Sequence, residues 1–186
     1  MSLPVVAFPR PRAVPPALAQ AAAPFGIELR WASDSDRPTL LALYATTRAE
    51  ELAAQPWPEA TKAQFVAQQY ELQHRHFVEH FAAAEFLVLV RGAGVVGRIY
   101  VDRSTRGPRD LVVDILLAPE WRGGGIGGAL LRAVQADAAA RGRGVELHVL
   151  AWNGGARRLY ERLGFRVADA GSPHVLMHWA SPPDVS

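Results

Sequence analysis

Cysteine is missing from all 186 residues, and that absence removes several chemistries together. No disulfide framework, thiolate zinc site, cysteine nucleophile or thiol redox centre can be built from this chain. A domain of this size buries on the order of two thirds of the surface its unfolded form exposes, so its core needs no such staple. Lysine is nearly missing too: Lys62 stands alone, and every other basic residue is Arg. Long apolar runs are absent. Unbroken apolar stretches, such as residues 86–90, are only a few residues long, against about 18 for a membrane-spanning helix, which excludes an integral membrane protein of that kind. Excess charge is also missing, since the formal net charge is +2 and Arg10 and Arg12 are the only charged residues among the first 26. The remainder balances at 18 basic against 18 acidic residues, without the broad positive field that sequence-independent nucleic-acid binding requires. With 49% hydrophobic and 20% charged residues, the composition is that of one ordinary globular domain.

What is present has clear punctuation. Residues 1–26 carry six prolines and a run of alanines with almost nothing polar to set a period; they read as a flexible extension, with the folded domain over 27–186. Arg10, Arg12 and the Pro15-Pro16 pair fall inside the stretch that a secretory signal would keep apolar, so the expected location is cytoplasmic. Residues 27–31 alternate like a short strand, and Ser33, Asp34, Ser35 and Asp36 offer caps for a helix over about 38–54. Pro56-Trp57-Pro58 ends it. A longer helix is predicted over 61–81, with Val66, Tyr70, Phe77 and Phe81 on one face. The period then falls to two. Residues 86–91 and 95–102 form a hairpin about Gly92-Ala93-Gly94, and 111–117 is the next strand. A glycine cluster, a helix to about 141, a strand over 145–151, a helix over 154–163 and strands over 165–169 and 174–179 complete the chain. No internal repeat is visible. The order predicts an α/β domain with a mixed sheet.

The cluster Arg122-Gly123-Gly124-Gly125-Ile126-Gly127-Gly128 lies between a strand and a helix, with no bulky side chain to hide the backbone amides. Amides at a helix start lack intrahelical partners and face the positive end of the helix dipole, so an anion such as a pyrophosphate fits there. A glycine-rich turn for close helix-to-strand packing is the alternative. Gly123, Gly125 and Gly128 also satisfy the dinucleotide fingerprint, which would make the chain an oxidoreductase, but that fingerprint belongs after the first strand of a longer strand-helix series. A P-loop is excluded because no Lys-Ser or Lys-Thr follows the glycines.

Two motifs in register carry more. Ala118-Pro119-Glu120-Trp121 leads into Arg122-Gly123-Gly124-Gly125-Ile126-Gly127, which fits Arg/Gln-x-x-Gly-x-Gly/Ala. Downstream, Asn153 to Phe165 fits N-x-x-A-x-x-L-Y-x-x-x-G-F through Asn153, Ala156, Leu159, Tyr160, Gly164 and Phe165. Together they resemble the GNAT superfamily of acetyl-CoA-dependent N-acetyltransferases. The resemblance implies a mixed, mostly antiparallel sheet with splayed middle strands and about four flanking helices. It implies acetyl-CoA as cosubstrate, its pantetheine arm along Ile115 and Leu117 and its pyrophosphate on the amides of Gly123, Gly124, Gly125, Ile126, Gly127 and Gly128 beside Arg122. Gly124 stands where a larger polar residue is common, which removes one side-chain contact. Asn153 would contact the cofactor arm, or serve only as a helix cap. Tyr160 would be the acid that protonates the departing thiolate, or else a core aromatic. For the base that takes the amine's proton the candidates are Asp114 and His148. Leu111 occupies the position where some members carry a catalytic Glu, so the base stays unassigned; His148 could equally be structural, and Asp114 could support a strand bulge or bind the amine.

The two early helices would line the acceptor pocket with residues including Glu50, Glu51, Trp57, Tyr70, Glu71, His74 and Arg75, most of them read as solvated face or packing. His76 and His80 are four apart, but no third metal ligand accompanies them. The expected activity is transfer of an acetyl group to a primary amine, on a small molecule or peptide, by direct attack in a ternary complex. The alternative is a non-catalytic acyl-CoA-binding or sensing module. No nucleic-acid or membrane partner is expected, and a homodimer accords with the family's habits.

Overall fold

The computed structural model describes residues 6–105 and 107–181. Among these residues seven strands form a single sheet: β1 (Glu28–Trp31), β2 (Glu85–Arg91), β3 (Gly94–Asp102), β4 (Arg109–Leu117), β5 (Gly144–Leu150), β6 (Arg166–Asp169) and β7 (His174–Trp179). Their order across the sheet is β1-β2-β3-β4-β5-β7-β6. Every neighbouring pair is antiparallel except β4 with β5. A parallel pair needs a crossover connection, and α4 (Ile126–Ala140) supplies it. The other helices are α1 (Pro16–Ala22), α2 (Arg37–Ala53), α3 (Glu59–His80) and α5 (Gly154–Arg162). From residue 27 onward the mixed sheet and the element order are those the sequence predicts, with ends shifted by no more than two residues.

Local chemistry explains the element ends. Before α2, Ser33 and Asp36 form a reciprocal capping box, and Arg30 reaches Asp36 with bonds of 2.8 and 2.7 Å. Pro38 sits in the first turn of α2, where a missing N–H costs nothing. The core is a sandwich of strand residues such as Leu87, Leu89, Ile99, Val101 and Leu147 with Leu130, Leu131 and Val134 of α4, all essentially inaccessible to solvent.

The expectation of a flexible extension over residues 1–26 does not hold for the described residues 6–26. Pro15 and Pro16 start α1, a position where proline is favoured. Leu18 and Ala22 are fully buried, and α1 packs against α4. Phe8 joins an aromatic cluster with His74, Phe86 and Tyr100 at centroid distances of 4.6 to 6.4 Å. Arg12 donates to the carbonyls of Ala83 and Ala84 and lies 5.0 Å over the Trp31 ring. Its charge therefore belongs to the folded body. The alanine and proline composition that suggested disorder instead suits a short helix pressed close to its neighbour.

The feature that positions the site is a fork between β4 and β5. They pair from Arg109↔Gly144 to Val112↔Leu147 and no further. The closed end is tied by Asp110, fully buried, whose carboxylate is shared by Arg103, Arg141 and Arg143, the last at 2.7 Å. Beyond it the β3–β4 register shifts, Tyr100 pairing with Asp114 and Val101 with Val112. Val113 is thus a bulged residue that bends β4 away from β5.

Candidate active site

Beyond the fork, Val113 to Leu117 have β3 on one side and, among the described residues, no strand on the other. The opening widens into a cavity of about 1140 Å³ lined by β4, β5, the start of α5 and the facing sides of α2 and α3. Backbone groups on the open edge lack ladder partners, an invitation to a ligand with amides of its own.

The glycine loop caps one end of β4. Gly123 and Gly125 adopt φ of +77° and +89°, which a side chain would strain, and Gly125 is the N-cap of α4. A Cβ built on Gly123 or Gly124 would meet nothing within 4 Å, so packing does not explain glycine at those two positions. A Cβ on Gly127 would make only ordinary contacts with Leu159 of α5, Ile115 and Leu117, and one on Gly128 would lie 3.3 Å from the flexible end of Arg132 and 3.7 Å from Leu159. Among the described residues no backbone bond outside the helix engages the amides of 123–128. The loop therefore fits a pyrophosphate on grounds of geometry: free donors, exposed backbone and a helix N-terminus behind them.

Arg122 is held more firmly than expected. Its Nε donates to the Leu117 carbonyl at 2.9 Å and its Nη2 to Thr46 Oγ1 at 2.7 Å. That ties the loop to α2, leaves fewer donors for a phosphate, and engages the Leu117 backbone carbonyl.

Tyr160 projects from α5 to the cavity wall and is only 7% exposed. Burial, with a smaller contribution from the negative charge of Asp114, pushes its phenol up to about 12. It therefore stays protonated through the neutral range, as an acid must. Asn153 caps α5, its side-chain oxygen accepting from the Ala156 amide at 3.1 Å, and it also lines the cavity. The two readings of Asn153 are thus compatible.

Asp114, Ile115 and His148 line the same cavity. The Asp114 carboxylate accepts from Arg98 Nε at 2.6 Å, while Arg98 Nη2 donates to Gln73 of α3 at 2.8 Å. Arg98 is 2% exposed. A guanidinium so buried requires a carboxylate beside it, and its own ionisation is driven upward by Asp114 against the opposing effect of burial. His148 is exposed, and its ring has no hydrogen-bond partner among the described residues. Its neighbour on the same strand face, Glu146, lies 3.4 Å from His178.

Of the acceptor-side residues singled out in the sequence, Glu50 and Glu51 line the cavity. Tyr70 is buried, Glu71 pairs with Arg37, Trp57 packs on Phe65, and His74 is buried with Nε2 2.7 Å from the Val6 carbonyl. His80 Nδ1 lies 2.9 Å from the His76 carbonyl, and no metal-holding cluster exists among the described residues. Sequence reasoning missed Arg98 and Gln73, which are brought to Asp114 by strand pairing and helix packing. It also missed Trp152, 68% exposed at the cavity edge next to Asn153. An exposed tryptophan adjoining a motif asparagine was the one legible signal.

Residues 82–167 match the family model of the acetyltransferase (GNAT) domain. The fold resembles the PaiA N-acetyltransferase of Thermoplasma acidophilum, solved in complex with coenzyme A, at 19% identity and a TM-score of 0.63 over 83% of this chain and 98% of that one. It resembles a histone acetyltransferase HPA2 and related acetyltransferase of Corynebacterium glutamicum at 21% identity and a TM-score of 0.58, covering 87% and 99%. A GNAT-family acetyltransferase of Staphylococcus aureus matches at 15% identity and a TM-score of 0.60, covering 84% and 99%. The forked sheet, the glycine loop at the start of α4 and the domain match over residues 82–167 together support a GNAT superfamily acetyltransferase.

Proposed function

We propose that this protein is an N-acetyltransferase that moves an acetyl group from acetyl-CoA to a primary amine by direct attack within a ternary complex. The observation that carries the reading is the fork: β4 and β5 part at Val112 and Leu147 in a cavity that the protonated phenol of Tyr160 also lines, and the open edge of β4 runs on toward a loop of unpartnered amides. The open edge of β4 at Ile115 and Leu117 would hold the pantetheine arm, and the amides of 123–128 the pyrophosphate. Asn153 would reach the arm while still capping α5.

The thioester supplies an activated acyl carbon. The amine enters from the side of α2 and α3 and attacks that carbon as a neutral nucleophile. A C–N bond forms as the carbonyl electron pair moves to oxygen. When the pair returns, the C–S bond breaks and Tyr160 gives its proton to the sulfur, avoiding a poorly solvated thiolate. The proton leaving nitrogen passes to Asp114 or His148, directly or through water. Arg98 fixes the orientation of the Asp114 carboxylate.

The test is coenzyme A release from acetyl-CoA with a panel of amines: polyamines, aminoglycosides, lysine-bearing peptides and free peptide N-termini. Release that depends on one amine class supports the proposal and names the acceptor. Tight acetyl-CoA binding with no release for any amine favours an acyl-CoA-binding module instead.

A further inference from the structure

We propose that the end of the N-terminal segment, through Phe25, acts with Arg91 and Trp121 as a buttress that sets the shape of the glycine loop and so the affinity for a pyrophosphate. This inference rests on the reading of that loop as the coenzyme A cradle.

Three contacts link Phe25, Arg91 and Trp121 to one another and to the loop. The Phe25 ring lies 3.9 Å from where a Cβ on Gly125 would stand, at the residue whose positive φ turns the loop into α4. Arg91 Nη1 donates to the Phe25 carbonyl at 3.1 Å. The same guanidinium lies 4.9 Å over the ring of Trp121, which immediately precedes the loop. Behind them α1, with its fully buried Leu18 and Ala22, packs on α4, the helix whose first turn lies in the proposed cradle.

The physical consequence concerns preorganisation. A loop with glycines at 123, 124, 125, 127 and 128 samples many conformations unless something restricts it, and a cradle of amides binds well only if they already converge. Arg122 restrains the loop toward α2 and Leu159 supports the first turn of α4. Phe25 and Arg91 supply the restraint at Trp121 and Gly125. They need not touch the ligand to control its affinity, so they are positioning residues.

Full-length wild type, Phe25→Ala, Phe25→Leu, Arg91→Ala and the Phe25→Ala/Arg91→Ala double variant are titrated with coenzyme A and, separately, with pantetheine, which lacks the pyrophosphate. Phe25→Ala and Arg91→Ala are each expected to weaken coenzyme A binding roughly tenfold with pantetheine affinity unchanged. Phe25→Leu should restore most of the loss. The double variant should lose less than the two single losses combined, because both act through one loop. Equal weakening toward coenzyme A and pantetheine overturns the proposal by reducing the effect to general loosening. Unchanged coenzyme A affinity in folded Phe25→Ala overturns it as well. Should Phe25→Ala fail to fold, Arg91→Ala decides, and wild-type coenzyme A affinity in it overturns the proposal. Wild type that binds no coenzyme A removes the cradle reading itself, a result distinct from a wild type that binds and variants that do not differ.

Discussion

At the residue scale the chemistry depends on groups whose neighbours set their state. Tyr160 is pushed up to about 12 by burial first and by Asp114 second, so the phenol keeps its proton through the neutral range. Tyr160→Phe keeps the ring's packing against Phe165 and removes only the proton. Turnover should fall by roughly 10²-fold or more with donor affinity nearly unchanged, as single-turnover kinetics and a binding titration would check. Because the folded phenol is raised, a basic limb due to its ionisation should lie near pH 12, above the ordinary tyrosine value of about 10. Asp114 and His148 are separable by the opposite limb. Asp114→Asn or His148→Gln, whichever replaces the true base, should abolish the acidic limb of the kcat/KM profile, and the other should leave it in place. Arg98 complicates only the first variant, since Asp114→Asn leaves a buried guanidinium without its carboxylate and should also lower the melting temperature.

Elements are held by contacts that composition alone misjudges. The Asp36 carboxyl is lowered to about 2, chiefly by the hydrogen bond from Arg30, against burial and with help from Ser33. A depressed folded value contributes stability above the unfolded value of about 3.9 and loses it as pH falls toward 2. Asp36→Asn should therefore cost about 1 kcal/mol at neutral pH, the usual worth of a helix cap. Thermal melts should show that gap closing between about pH 4 and pH 2. The N-terminal segment offers a sharper contrast. Were it a loose tail, Leu18→Ala would change nothing; because Leu18 is fully buried between α1 and its neighbours, the substitution should cost about 2–5 kcal/mol. A denaturant midpoint close to that of wild type would contradict the packing of α1.

For the whole molecule, the formal charge balance and the local cradle bear on the same question. Without a strong net field, and with the proposed cradle of oriented amides, coenzyme affinity should depend on loop geometry more than on ionic strength. Acetyl-CoA at about a hundred times its dissociation constant should stabilise the fold by roughly 2.7 kcal/mol, seen as a rise in melting temperature. NADH or NADPH giving that rise while acetyl-CoA does not would remove the assignment. No helix among the described residues is long and apolar enough to cross a membrane.

The sequence by itself determined the order and type of the elements from residue 27 onward, because periods of two and 3.6 and the Gly and Pro punctuation are local properties. It also located the glycine loop, Asn153 and Tyr160, since both motifs are written in consecutive residues. Only the tertiary structure decided the rest. The Arg98–Asp114–Gln73 network joins β3, β4 and α3, and no local pattern links those positions. The fate of residues 6–26 turned on a surface of α4 that exists only when the sheet has formed. A segment of alanine and proline has no amphipathic period to reveal its inner face, so its burial of Leu18 and its hold on the glycine loop through Phe25 are products of long-range packing.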